Sequence, residues 1–137
     1  MISLVLVTYE GIGSQMIEAV AHVLGYRPEN LEALPATHNE TPESLAPKLE
    51  SVINRLDRKD GILILVDLYG TTHSNVASRF IAGDEVRMIA GLNLSMLVRA
   101  ITYRNEDMTR LTTKVHDGGQ EGIRMCNKLD NYSDLIP

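Results

Sequence analysis

The chain has one cysteine, no membrane-length apolar run, no surplus of basic residues and no metal-ligand spacing. A lone Cys126 leaves no intramolecular disulfide to brace the fold, which points to a reducing, cytoplasmic setting. The opening Met1-Ile2-Ser3 lacks a basic segment leading to a cleavage signal. The longest apolar runs, residues 4–7 and 62–66, fall far short of the roughly 20 residues that cross a bilayer. Direct membrane insertion is therefore not expected. Lys+Arg number 13 against Asp+Glu 18, for a net charge of -5, so nucleic acid is not an expected partner, because such binding needs cations to displace counterions from phosphates. The histidines are scattered and the cysteine has no partner pattern, which implies neither a metal nor a cofactor. The methionines read as core or interface packing.

What is present is an alternation of strand and helix signals. Length, at 137 residues, suits one domain able to bury a core unaided. Residues 2–8 form a continuous apolar run ending in Thr8-Tyr9-Glu10-Gly11-Ile12-Gly13-Ser14. A helix over residues 15–24 comes next, with Met16, Ile17, Val20, Val23 and Leu24 on one face. Residues 30–36 are a weaker strand. Thr41 is placed to cap a helix with Pro42 at its first position, turning Leu45, Leu49, Val52, Ile53 and Leu56 inward. Residues 61–68, apolar on both faces, read as a central parallel strand covered on both sides.

Residues 74–81 then predict a helix, 86–92 a strand and 94–103 a helix. A polar helix from about Asn105 to Asp117 is expected to break at Gly118-Gly119, with a short last strand over 123–126. This order predicts an α/β fold: a doubly wound, mainly parallel open sheet with helices on both faces. Residues 1–126 make the domain and 127–137 a tail.

In such sheets ligands bind beyond the carboxyl ends of the strands where the winding reverses, which selects the loops after strands one and three. The second loop reads Asp67-Leu68-Tyr69-Gly70-Thr71-Thr72-His73-Ser74-Asn75. Its glycine, hydroxyls and backbone N–H groups before a helix make Gly70, Thr71, Thr72 and His73 candidate phosphate contacts. The competing reading is structural, with Thr72 or Ser74 capping the helix and Gly70 permitting a tight turn.

Three segments together, Leu4-Val5-Leu6-Val7-Thr8, Asp67-Leu68-Tyr69-Gly70-Thr71-Thr72 and Ile89-Ala90-Gly91-Leu92-Asn93-Leu94-Ser95-Met96-Leu97, carry a resemblance to a known family. They are similar to the mannose-type (fructose/mannose) enzyme IIA components of the bacterial phosphoenolpyruvate-dependent sugar phosphotransferase system. Gly118-Gly119-Gln120-Glu121-Gly122 adds to the match. The resemblance implies a carrier that takes a phosphoryl group from the histidine phosphocarrier protein onto its own histidine and passes it to a IIB partner. It also implies a homodimer in which the last strand, residues 123–126, adds antiparallel to the neighbour's sheet.

The small stand-alone members that this chain resembles are often regulatory. The family's acceptor histidine falls at Tyr9, the glycine after it at Glu10, the aspartate that orients the histidine at Asp67, and a loop proline at His73. Tyr9 and Asp67 are therefore the candidate catalytic positions.

Tyrosine changes the chemistry at that position. An imidazole nitrogen has a free lone pair near neutral pH and forms a labile phosphoramidate. A phenol titrates near 10, attacks poorly when neutral and forms a stable ester. Glu10 adds a carboxylate beside any incoming phosphoryl group. The expectation is a regulatory or degenerate phosphocarrier.

Alternatives are a relocated acceptor such as His73, a receiver-like domain with Glu10 and Asp67 as its acidic pocket, and a non-catalytic binding module. A receiver requires a carboxylate pair at the end of strand one and a late lysine, which the stretch from Lys59 to Lys114 does not supply. His38 reads as a solvated loop residue, His22 and His116 as structural helix residues, and Arg79, Arg99 and Arg104 as candidate anion contacts on helices, where a solvated face is the commoner explanation and none is assigned to the crevice.

Overall fold

The computed structural model describes residues 1–127. Within them the elements run β1 (Ser3–Tyr9), α1 (Ile12–Leu24), β2 (Leu31–Ala36), α2 (Pro42–Arg55), β3 (Ile62–Val66), α3 (Thr72–Ser78), β4 (Val86–Ala90), α4 (Leu94–Tyr103) and α5 (Met108–Glu121). The strands form one parallel sheet in the order β2-β1-β3-β4. The α/β architecture expected from the sequence is the one observed. Its boundaries shift by a few residues; α3, for example, starts at Thr72 and ends at Ser78, leaving Ile81 exposed.

The period of two along the central strands divides the core in half. Leu4 and Leu6 of β1 and Leu63 and Leu65 of β3 face α1, α4 and α5 through Ile17, Val20, Leu97 and Leu111. Val5, Val7, Ile62, Ile64 and Val66 face α2 and α3 through Leu45, Leu49, Val52 and Val76. Register from Ser3 opposite Ile62 to Val7 opposite Val66 keeps the two central strands level. Their carboxyl ends therefore emerge side by side, which sets Tyr9 against Asp67 at the crevice expected there.

Local chemistry sets the helix ends. The Thr41 side chain accepts from the Ser44 N–H while the Ser44 side chain accepts from the Thr41 N–H, at 3.1 and 2.9 Å, with Pro42 as the first helical residue. On α1 the apolar face is narrower than expected, because Val23 in the last turn is 72% exposed.

Two expectations at the C-terminal end are corrected. Gly118-Gly119 does not break the last helix, since α5 continues to Glu121. Both glycines are buried against α4: a Cβ on Gly118 would meet Arg99 Cγ at 2.4 Å, and one on Gly119 would meet Met96 Cγ at 2.6 Å. They serve close helix packing, which outweighs a helix-propensity cost of about 1 kcal/mol each.

Residues 123–127 form no strand in the single chain, and Ile123 and Met125 are exposed. The other methionines past the first are better covered: Met96 and Met108 are buried, and Met16 and Met88 are half-buried. Of the tail expected over 127–137, all but Asn127 lies outside the described residues.

Arg104, at the end of α4, is buried at the base of the sheet, with 4% of its surface exposed. Its Nε donates to the Ile2 carbonyl at 2.9 Å, Nη1 to Glu29 at 2.7 Å and Nη2 to Asn30 at 2.5 Å. Ile2 N–H returns a bond to the Arg104 carbonyl. Burial pushes the guanidinium pKa down, opposed by the nearby Glu29 and Tyr26. This side chain ties α4 to the starts of β1 and β2, away from the strands' carboxyl ends, so it is not an anion contact of the crevice. Replacing it strands three carbonyls, and Arg104→Met is expected to lose about 2–4 kcal/mol in urea unfolding.

Candidate functional site

The segments just past β1 and β3 build the mouth of the sheet. Thr8, buried at the end of β1, accepts the Gly13 N–H on its Oγ1 at 2.7 Å. It thereby holds the start of α1, whose capping residue Gly11 provides no side-chain acceptor. Tyr9 is the first exposed residue of the strand, at 47%. Glu10 has a φ of +44°, a left-handed conformation that glycine takes freely and that costs another residue about 1–2 kcal/mol. Its N–H bonds to the Ala36 carbonyl at 2.9 Å. Its carboxylate accepts the His38 backbone N–H at 3.2 Å and lies 3.4 Å from His38 Nδ1. Glu10 is thus drawn to the loop after β2.

On the other flank of β1 stands Asp67. Its Oδ2 accepts the Tyr9 N–H at 2.8 Å, and its Oδ1 accepts the Leu68 N–H at 2.9 Å and lies 2.6 Å from His73 Nε2. The side chains of His73 and Asp67 are only 9% and 15% exposed. Burial pushes the Asp67 carboxyl up. The His73 hydrogen bond, the Tyr9 N–H, the His73 charge and the Leu68 N–H outweigh it and hold the pKa below the usual aspartate value. An ionised Asp67 has no proton to give, so the hydrogen between the two sits on His73 Nε2. Among the described residues no hydrogen bond reaches His73 Nδ1, and no buried side-chain nitrogen or oxygen lacks a partner. Nδ1 therefore lies on the ring's small exposed edge.

The rest of the loop is largely committed to its own structure. Thr71, rather than Thr72 or Ser74, caps α3: its Oγ1 accepts the Ser74 N–H at 3.1 Å and donates to the Leu68 carbonyl at 3.0 Å. Gly70, at φ +88°, makes the turn, and its N–H reaches Ser74 Oγ at 3.4 Å. Thr72 is exposed at the start of α3.

The remaining candidates do not converge on the crevice. His22 and His116 are exposed on α1 and α5. Arg99 pairs with Glu121 at 2.7 Å across the α4–α5 contact. Arg79 is exposed at the end of α3 that runs away from the mouth. Glu10 and Asp67 are held by different partners on opposite flanks of β1, so they do not form the acidic pocket of a receiver. Around the mouth stand exposed apolar side chains, Tyr9, Ile12, Leu68, Tyr69 and Leu94. A shallow apolar groove of about 520 Å³ runs beside them between α1 and Leu94.

A family model described as "PTS system fructose IIA component" matches residues 3–116. The chain belongs to this enzyme IIA family. A mannose-specific EIIAB component of Escherichia coli K12 is 30% identical over 126 residues, covering 90% of this chain. The chain spans only 39% of the length of that curated relative. A fructose-specific EIIA component of Bacillus subtilis is 29% identical over 101 residues, covering 72% of this chain and 69% of its own length. Among solved structures, an EIIA component from Streptococcus agalactiae superposes with a TM-score of 0.80 at 25% identity, covering 90% of this chain and 96% of that one. A mannose/sorbose-specific IIA subunit from Enterococcus faecalis gives 0.84 at 20% identity, covering 95% and 98%, and supports the fold. No helix among the described residues is long and apolar enough to cross a membrane.

Sequence reasoning placed the two loops of this enzyme IIA domain but missed their internal bonding. It offered His73 as a phosphate contact and a relocated acceptor just ahead of a helix expected from residue 74, whereas His73 lies in the first turn of α3, which starts at Thr72. Its burial against Asp67 depends on the path of the turn between them, where Gly70 takes a φ of +88°. The Glu10–His38 pairing had no local signal, since 28 positions separate its partners.

Because the folded-state pKa of Asp67 is depressed, its network adds stability in full above the ordinary aspartate value. That stability is lost as pH falls through the lower folded value. Urea unfolding of the wild type is therefore expected to weaken more steeply below about pH 4 than that of Asp67→Asn. Parallel pH profiles would contradict the pairing.

Proposed function

We propose that this enzyme IIA-type chain serves a bacterial sugar phosphotransferase system as a regulatory, degenerate phosphocarrier that does not relay through residue 9. The observation that carries this reading is Tyr9, an exposed phenol at the mouth of the crevice whose backbone N–H, rather than its ring, engages Asp67. A phenol on that strand end is a weak nucleophile at neutral pH and would hold phosphate as an ester too stable to pass on. Membership of the family supports docking to the histidine phosphocarrier protein and to a IIB component. The apolar side chains around the mouth are suited to such contacts, as they present area that a protein partner would cover.

In this reading the protein works in the cytoplasm as a homodimer. β4 is an edge strand of the sheet, and antiparallel pairing of residues 123–126 with a neighbour's edge would cover a segment that is exposed in the single chain. One alternative is favoured by a specific observation. The buried Asp67–His73 pair is an arrangement that supports an active phosphocarrier with its acceptor moved to His73.

Sedimentation equilibrium of the chain alone and with the histidine phosphocarrier protein tests docking and assembly together. The expected result is a dimer at micromolar concentration whose mass rises when the phosphocarrier is added, equally in wild type and Tyr9→Phe. A monomer would overturn the dimer, and no mass increase would overturn the docking. Phosphate found as an ester on Tyr9 and delivered onward to a IIB protein would overturn the non-relaying role of residue 9.

A further inference from the structure

We infer that His73 is a phosphoryl acceptor through Nδ1, taking the group from an N–P donor such as a phosphohistidine, with Asp67 as its positioning residue. The inference rests on the relocated-acceptor reading and adds the acceptor atom, its activation and the class of donor. Four observations converge on it.

The first is tautomer control. Asp67 Oδ1 sits 2.6 Å from His73 Nε2, so the ring keeps its hydrogen there and presents a lone pair at Nδ1. The second is that this lone pair is unspent. Among the described residues Nδ1 has no hydrogen-bond donor against it, and the ring, though buried elsewhere, exposes that edge. Third, Asp67 is itself fixed, by the N–H groups of Tyr9 and Leu68 on its two oxygens, so the carboxylate cannot turn away from the ring by simple rotation. Fourth, the carboxylate that would repel a phosphoryl group, Glu10, is held by His38 on the β2 side of the sheet, across β1 from Asp67.

Neither of the other two candidates has these features. Tyr9 offers a phenol, a weaker nucleophile than a neutral imidazole. His38 is exposed, and its Nδ1 faces Glu10.

In the step itself, the Nδ1 lone pair attacks phosphorus as the donor's N–P bond breaks, and the bonding electrons leave with the donor nitrogen. A donor imidazole protonated on its other nitrogen departs neutral. The positive charge gained by the His73 ring is met at Nε2 by the Asp67 carboxylate. No added acid, metal or water is required. The product is a phosphoramidate, the labile class of adduct that can be handed on.

The test uses the full chain with two radiolabelled donors, phosphoramidate and the phosphorylated histidine phosphocarrier protein. The expected label is acid-labile and alkali-stable, maps to His73 by peptide analysis, and gives the ³¹P signature of an Nδ1 adduct. It persists in Tyr9→Phe and disappears in His73→Gln. In Asp67→Asn the maximal labelling rate by phosphoramidate is expected to fall by at least about tenfold, with the half-saturating donor concentration unchanged. A purely structural role for Asp67 would not produce that split.

Because His73→Gln removes a buried bond, the site assignment rests on the wild-type peptide and ³¹P data. No label from either donor, or label at Tyr9 or His38, overturns the inference. Label on His73 from phosphoramidate but not from the phosphocarrier upholds the acceptor and overturns docking to that protein. Binding of the phosphocarrier with no label from either donor does the reverse.

Discussion

One carboxylate organises the mouth of this domain. Asp67 stands at the end of the central strand β3 and reaches across the crevice to the backbone of Tyr9 at the end of β1, while its other oxygen holds the loop that leads to α3 and the ring of His73. The parallel pairing of β1 and β3 brings these groups level, and the reversal of winding between the two strands leaves the space above them unfilled. The chemistry open to this site is a consequence of what Asp67 binds.

The three positions at which the resemblance implies a different residue make physical sense as a set. With a tyrosine rather than a histidine at residue 9, no imidazole there competes for Asp67, and the carboxylate is open to another partner. A histidine at residue 73, where the resemblance places a proline, supplies that partner. Glutamate at residue 10 must adopt a left-handed backbone that glycine would take without strain. Its contacts with Ala36 and His38 hold it there and carry its charge to the far flank. The result is a site in which Asp67 and His73 are paired and the phenol ring stands outside the pair.

Much of the fold was legible in the sequence because burial imposes a simple pattern. The continuous apolar runs of β1 and β3 are required by a sheet covered on both faces, and the Thr41-Pro42 start of α2 is a matter of local hydrogen bonding. Gly118 and Gly119 were misread as a break because propensity is local, whereas their role is to let α5 approach Arg99 and Met96 on another helix. Arg104 was misread for a related reason. A lone arginine on a helix gives no sign that three carbonyls from the starts of β1 and β2 will converge on it. At the site, the loops were found from topology, but the Asp67–His73 bond depends on the path of the turn between them.

The central claim is that Asp67 fixes the proton of His73 on Nε2 and leaves Nδ1 free. Multiple-bond ¹⁵N–¹H correlation of the histidine ring nitrogens, recorded with the imidazole in its neutral form, measures this directly. The account predicts a protonated Nε2 and an unprotonated Nδ1 for His73, with the pattern lost in Asp67→Asn. A His73 ring protonated on Nδ1, or averaging freely between the two tautomers in the wild type, would contradict it.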